Sequence, residues 1–277
     1  MRSKQDTVTA VIVGAGAVEN CWDPILRAVQ RHWDFPLTID GANCFLARLV
    51  YLLRWYASDP SELGPKALKE HRAFLNVIKK DICHELRRSQ AQAEMRVRDE
   101  FEAVLDTTLF RYSSTFMLVS TNWDTVFCDA LSRYANRTMD GVLRPLHVHG
   151  SVANPHTLYL PTEITKEPYR SRSEEQQIGG IHGRIWRGLE DAHRVVIYGL
   201  SLSPLDAELS QTLAAGFDND VLEDVIVVTP EHALVAHRVN LLLHPKRHVR
   251  VTGFEPSRLK APYDYTILRP PTPEGAK

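Results

Sequence analysis

The chain has 277 residues, 44% of them hydrophobic, enough for a substantial core in either one large α/β domain or two smaller ones. Lys and Arg number 33 against 34 Asp and Glu, so the net charge of -1 gives no electrostatic reason to expect nucleic acid or an anionic membrane as partner. Four cysteines, Cys21, Cys44, Cys83 and Cys128, lie far apart with no Cys-x-x-Cys pair, which points to free buried thiols rather than a metal site.

The first residues, Met1 to Thr9, are polar, and the apolar run behind them is too short for a signal-peptide core or a membrane span. A reducing cytoplasm is the expected compartment. Thr9 to Val13 reads as a buried strand that ends in Gly14-Ala15-Gly16-Ala17, followed by Val18-Glu19-Asn20 and a helix from Trp22 to Arg31. Strand, glycine turn and helix together suit a phosphate, because glycine lets the backbone approach the ligand and a helix amino end offers free N–H groups. The third glycine of Gly-x-Gly-x-x-Gly is missing, with Glu19 in its place, and a tight turn that binds nothing is the alternative.

From Ile39 to about Tyr112 the pattern turns helical and charged, with helices expected over Ala42–Tyr56, Pro65–Arg88 and Glu94–Phe110 and no convincing strand. This is too much helix for an ordinary crossover, and it reads as an insertion between the first and second strands. Arg48, Tyr51, Arg54, Trp55 and Tyr56 within it suit a pocket lining, a subunit contact, or plain packing with a solvated face.

Phe116 to Val119 forms the next apolar run and stops at Ser120-Thr121-Asn122-Trp123-Asp124, where a helix begins and runs to about Arg137. Leu143 to Ser151 predicts a short strand ending in His149-Gly150-Ser151, with His147 and His149 on the same side of the sheet by period-two alternation. Of the two, His149 lies nearer the strand end and is the better candidate for a ligand-facing group. Asn154 to Gln177 reads as a long polar loop over a cleft, and Gly180 to Ala192 as a helix.

Arg194 to Tyr198 is a further strand, ending in Gly199-Leu200-Ser201, and Ser203-Pro204-Leu205-Asp206 has the pattern of a capped helix start. Asp224 to Val228 ends in Thr229-Pro230-Glu231 ahead of a helix from His232 to Leu243, and His248 to Gly253 is the last strand. The remainder from Glu255 is loop-like, with disorder expected at Pro270-Pro271-Thr272-Pro273. Strands alternating with helices across 1–277, with no linker or repeat, predict an α/β fold with a doubly wound, mostly parallel Rossmann-like sheet and the helical insertion at about 39–112.

Four strand endings now stand in order: Gly14-Ala15-Gly16, Thr121-Asn122-Trp123-Asp124, His149-Gly150-Ser151 and Gly199-Leu200-Ser201. In this order they resemble the sirtuin family, in which such endings surround NAD, over the sheet from about Val8 to Glu231, with the helical stretch from about Ile39 to Tyr112 outside the resemblance. The zinc module of the protein-deacylating members is absent, as is the Gly-Ile-Pro-Asp-Phe-Arg type of segment after the glycine turn. With Val18-Glu19-Asn20-Cys21-Trp22 and Tyr159-Leu160-Pro161-Thr162-Glu163 in their places, the chain is more similar to bacterial sirtuin-like domains of antiphage defence systems, which break down NAD.

The resemblance implies an NAD hydrolase that needs NAD as substrate and no metal. Asn122 would bind the nicotinamide ribose and orient water, and His149 would act as base, its ordinary pKa of about 6.5 leaving much of it neutral. Asp124 is open between a ligand-facing group and a helix cap, and Trp123 between the nicotinamide side and the core. Gly14, Ala15, Gly16, Gly199 and Ser201 would hold phosphates and the adjoining ribose, with Thr121 beside them, Thr229 near the adenosine, and Asn20 added from the defence-type pattern. A homo-oligomer, or a complex with a separate motor ATPase, is implied as partner. A nucleotide-sensing subunit without turnover and an NAD-dependent deacylase are the alternative functions.

Overall fold

A computed structural model describes residues 7–34, 36–110, 115–138 and 143–267. The insertion's end at Tyr112, the proline-rich stretch at 270–273 and the polar residues 1–6 lie outside the described residues. In chain order the elements are β1 (Val8–Val13), β2 (Val18–Glu19), α1 (Asp23–Gln30), α2 (Ile39–Ser58), α3 (Leu63–Ala91), β3 (Arg96–Val97), α4 (Phe101–Leu105), β4 (Thr115–Ser120), α5 (Val126–Thr138) and β5 (Leu146–His147). The second half adds α6 (Arg172–Glu190), β6 (Arg194–Tyr198), α7 (Ala207–Phe217), β7 (Asp224–Val228), α8 (His232–Leu242), β8 (Arg250–Phe254) and β9 (Tyr263–Asp264).

Seven strands form one sheet in the order β5-β4-β1-β6-β7-β8-β9, and every pairing is parallel except that of β8 with β9. Counted along the chain, its six parallel strands lie in the order 3-2-1-4-5-6, that of a doubly wound Rossmann-like sheet. The winding reverses between β1 and β6, and ligands of such sheets bind in the crevice that this reversal opens at the carboxyl ends.

Register makes the crevice specific. Val13 pairs with Ser120 on one side and Tyr198 on the other, and Tyr198 pairs with Val228. These four strands therefore end level, so the residues that follow, Gly14, Thr121, Gly199 and Thr229, emerge side by side.

The strands read as unbroken apolar runs because both sheet faces are covered. Val11 and Val13 of β1 pack into a core with α1, α2, α3 and α5, whereas Ala10 and Ile12 pack into a second core with α6, α7 and α8. Burial of alternate residues on opposite faces is what a period of two requires.

Several expectations need correction. Residues 94–110 hold the β3 strand, paired antiparallel with β2, a short α4 and a π-helical turn instead of one long helix. The strand expected over 143–151 is reduced to Leu146–His147, since the chain turns at 148–149 and Gly150 takes φ +71°. Helix α6 starts at Arg172, inside the expected loop, because Ser171 and Glu174 form a reciprocal capping box.

The helix expected from Ser203 begins only at Ala207. Ser203 Oγ instead accepts from Leu205 N at 3.3 Å, closing a local turn. Similarly α5 starts at Val126, two residues after Asp124. The stretch after Glu255 returns to the sheet as β9, and Cys44 is exposed, contrary to the expectation of buried thiols.

Candidate active site

The four level strand ends open on a cleft of about 870 Å³, a size that suits a cofactor-sized ligand. Ala15, Gly16, Thr121, Asn122, Trp123, Asp124, His149, Gly199, Ser201 and Thr229 all line it. Two expected ligand contacts do not. Gly14 is buried under the turn after β6, and Asn20, held at φ +58°, donates through Nδ2 to the Glu94 carbonyl at 3.2 Å.

The two glycine turns interlock backbone to backbone. Gly14 N donates to Tyr198 O at 2.9 Å and Gly16 N to Gly199 O at 2.7 Å. A Cβ on Gly14 would lie 2.7 Å from Gly199 O, and one on Gly199 would lie 2.2 Å from Ala17 N. The close approach requires glycine at 14 and 199, and the Gly14 and Gly16 amides are engaged within the protein. Because Gly199 also sits at φ +62°, Gly199→Ala is expected to cost at least about 2 kcal/mol of stability, read as a lower urea midpoint. An unchanged midpoint would contradict the interlocked turns.

Asn122 follows β4 and is 5% exposed. Its backbone is tied down, with N donating to Ser120 Oγ at 3.2 Å and the carbonyl facing His147 Nδ1 at 3.1 Å. Its side chain is the reverse: neither Oδ1 nor Nδ2 has a hydrogen-bond partner. Leaving a buried polar atom unpaired costs about 1–3 kcal/mol, so a primary amide with both ends unmet in a cleft wall is a seat for a polar ligand.

His149 stands opposite the end of β4. Nδ1 lies 3.2 Å from Thr121 O, Nε2 lies 3.2 Å from Asp206 Oδ1, and the ring stacks on Tyr159 at 5.5 Å between centroids. Burial alone would lower its pKa, but the Asp206 charge and hydrogen bond, the Thr121 carbonyl and the Glu208 charge together raise it above the ordinary histidine value. The site thus favours the charged ring more than a free histidine would, whereas the expectation gave His149 its ordinary value.

His147 does not reach the cleft with it. Nε2 contacts Cys128 Sγ at 3.1 Å and burial lowers the ring's pKa, so His147 supports Asn122 from behind.

Asp124 caps: its Oδ1 accepts from Val126 N at 2.9 Å, ahead of α5. It also lines the cleft, and with 3% exposure its carboxyl is pushed by burial to about 6. The folded value lies above the ordinary 3.8, so the stability linked to Asp124 is lost as pH rises between about 4 and about 6. Asp124→Asn keeps an acceptor for Val126 and removes the buried charge. The variant is expected to gain about 2–3 kcal/mol at pH 7.5 and nothing at pH 3.5, compared by denaturant unfolding at both values.

No family model, curated protein or solved structure matches this chain.

The remaining wall comes from the helices between β1 and β4. Thr38, Ile39, Asp40 and Asn43 at the start of α2 and Leu86 of α3 line the cleft, as do Tyr159, Leu160 and Pro161. Trp123 belongs to the core and also lines the cleft, with Nε1 donating to Tyr159 O at 3.1 Å.

The expected polar loop is anchored by two buried carboxylates. Glu163 accepts from Leu160 N at 2.6 Å and Tyr169 Oη at 2.9 Å and pairs with Lys79 of α3 at 3.4 Å. Glu167 accepts from Arg54 Nε of α2 at 2.9 Å. Arg54 therefore fastens the cleft wall, while Tyr51 and Trp55 remain 60% exposed and Tyr56 packs on His71.

Sequence reasoning missed Asp206, Tyr159, Asp40 and Asn43. Asp206 lies 57 residues from His149, and its local pattern suggests a helix cap. No spacing rule links the two.

Proposed function

We propose that this chain is a sirtuin-like NAD+ hydrolase that releases nicotinamide and ADP-ribose. The observation that carries this reading is the buried, unpartnered Asn122 amide in the crevice at the carboxyl ends of the sheet, where the winding reverses between β1 and β6, with His149 lining the same cleft. A ribose carries adjacent hydroxyls that both donate and accept, which is what a primary amide with two free ends can bind. The cleft lies across the switch point, lined by Asn122 and His149 and, beyond β7, by Thr229, which suits a dinucleotide laid across it.

The chemistry asks little of the protein. Nicotinamide leaves neutral when the C1′–N bond breaks with its electron pair, so no general acid is required. Water then forms the new bond to C1′ and gives up one proton. Asn122 holds the ribose and the water in place, and the Asp124 carboxylate favours the positive charge that develops at C1′.

The same reading places the chain as the effector of a bacterial antiphage defence system that depletes NAD. It would work in the cytoplasm as a homo-oligomer or beside a separate motor ATPase, since an NAD-destroying enzyme needs control. Among the described residues no helix is long and apolar enough to cross a membrane.

The test is incubation of purified protein with NAD, and with NAD plus an acylated peptide, followed by chromatography. Equimolar nicotinamide and ADP-ribose with the peptide untouched is the expected result. O-acyl-ADP-ribose would show a deacylase instead, and thermal stabilisation by NAD without turnover would show a sensing subunit.

A further inference from the structure

Both ring nitrogens of His149 face oxygen acceptors, the Thr121 carbonyl and the Asp206 carboxylate. A neutral imidazole has one N–H and one lone pair. Either neutral tautomer would aim its lone pair at an oxygen, and only the imidazolium donates to both. We propose that Asp206 is a positioning residue acting through His149: its carboxylate, in the connection ahead of α7, fixes the ring in the cleft wall and keeps it doubly protonated in the resting site.

The surroundings agree from each packed element. Asp206 precedes α7, and Glu208 within α7 adds a second carboxylate whose charge acts on His149 and whose Oε2 has no partner. From α6, His182 is pushed down to about 4 by burial and then by the His149 charge, so it stays neutral beside it. Tyr159 stacks on the imidazole and carries Arg170 4.9 Å from its ring centroid. His149 and His182 both lie against Tyr159, and of the two it is His149 that meets a carboxylate, Asp206 at 3.2 Å.

For its meaning in catalysis the inference rests on the proposed NAD cleavage. In that reaction the proton lost by water passes to His149 only where the ring is neutral, and otherwise to solvent. Cleavage should therefore rise with pH through a midpoint above the ordinary histidine value, and Asp206 sets where that midpoint lies.

The decisive experiment is NMR titration of histidine-labelled protein, with the His149 signal identified by its loss in His149→Gln. Wild type is expected to titrate above about 6.5, and Asp206→Asn, which keeps the shape and loses the charge, roughly one pH unit or more lower. Asp206→Glu should restore the high midpoint. In wild type and Asp206→Asn the acid limb of kcat/KM for NAD should move with the NMR midpoint, while KM above that limb changes less than about threefold.

A wild-type midpoint at or below about 6.5 would overturn the proposal without any variant, as would equal midpoints in wild type and a folded Asp206→Asn. Titrations that behave as expected in a protein that leaves NAD intact would uphold the pair and sink the NAD hydrolase reading.

Discussion

Asn122→Ala is expected to slow NAD cleavage by about a hundred- to a thousandfold while leaving the fold at least as stable as wild type. The loss follows from removing an amide placed to bind ribose and water at once. Retained stability follows from the state of the side chain, whose Oδ1 and Nδ2 are buried without partners. Truncation deletes two unmet polar atoms, and the protein loses no internal hydrogen bond from that side chain. An amide that served the fold would behave in the opposite way, with stability falling along with activity. Measuring the denaturant midpoint beside the turnover number separates the two, and a large drop in midpoint would sink the assignment of Asn122 to the ligand.

The second large effect is expected at His149. His149→Ala should cut turnover by roughly a hundred- to ten-thousandfold, as loss of a positioned acid–base group does, and should remove the acid limb from the pH profile. Its effect on NAD affinity should be smaller, because the ring is held by Thr121, Asp206 and Tyr159 in the wall of the cleft. Calorimetric binding of NAD to the variant would show this. Full turnover in His149→Ala, with Asn122→Ala inactive, would leave Asn122 in the site and remove the histidine from it.

What could be read from the chain follows from which contacts are local. The strands β1, β4, β6 and β7 are legible because a parallel strand buried on both faces is an unbroken apolar run, and each run stops at a small or polar residue that belongs to the crevice. Asp124 was legible as a cap for the same reason, since its bond to Val126 spans two residues. The counter-ion of His149 was not, because Asp206 meets it across the sheet and its neighbours Ser203 and Pro204 imitate a helix start.

The segment from 154 to 171 shows a second limit. Glu163 and Glu167 look like solvated charges in a polar loop, yet each is 2% exposed and paired with a cation from α3 or α2. A buried carboxylate and an exposed one have the same letter, and only the distant partner distinguishes them. The same holds for glycine: the letters at Gly14 and Gly199 suggest a phosphate cradle, and the contact between their two backbones is legible only in the fold.

The central claim, that the Asn122 amide and His149 form an NAD-cleaving site, is tested most directly by following NAD, nicotinamide and ADP-ribose together for wild type and Asn122→Ala, in pure form and at native expression level in host cells. The prediction is stoichiometric conversion of NAD to the two products by wild type under at least one of the two conditions, and less than about 1% of that rate from Asn122→Ala. Equal conversion by both proteins, or NAD left intact by wild type under both conditions, would contradict it.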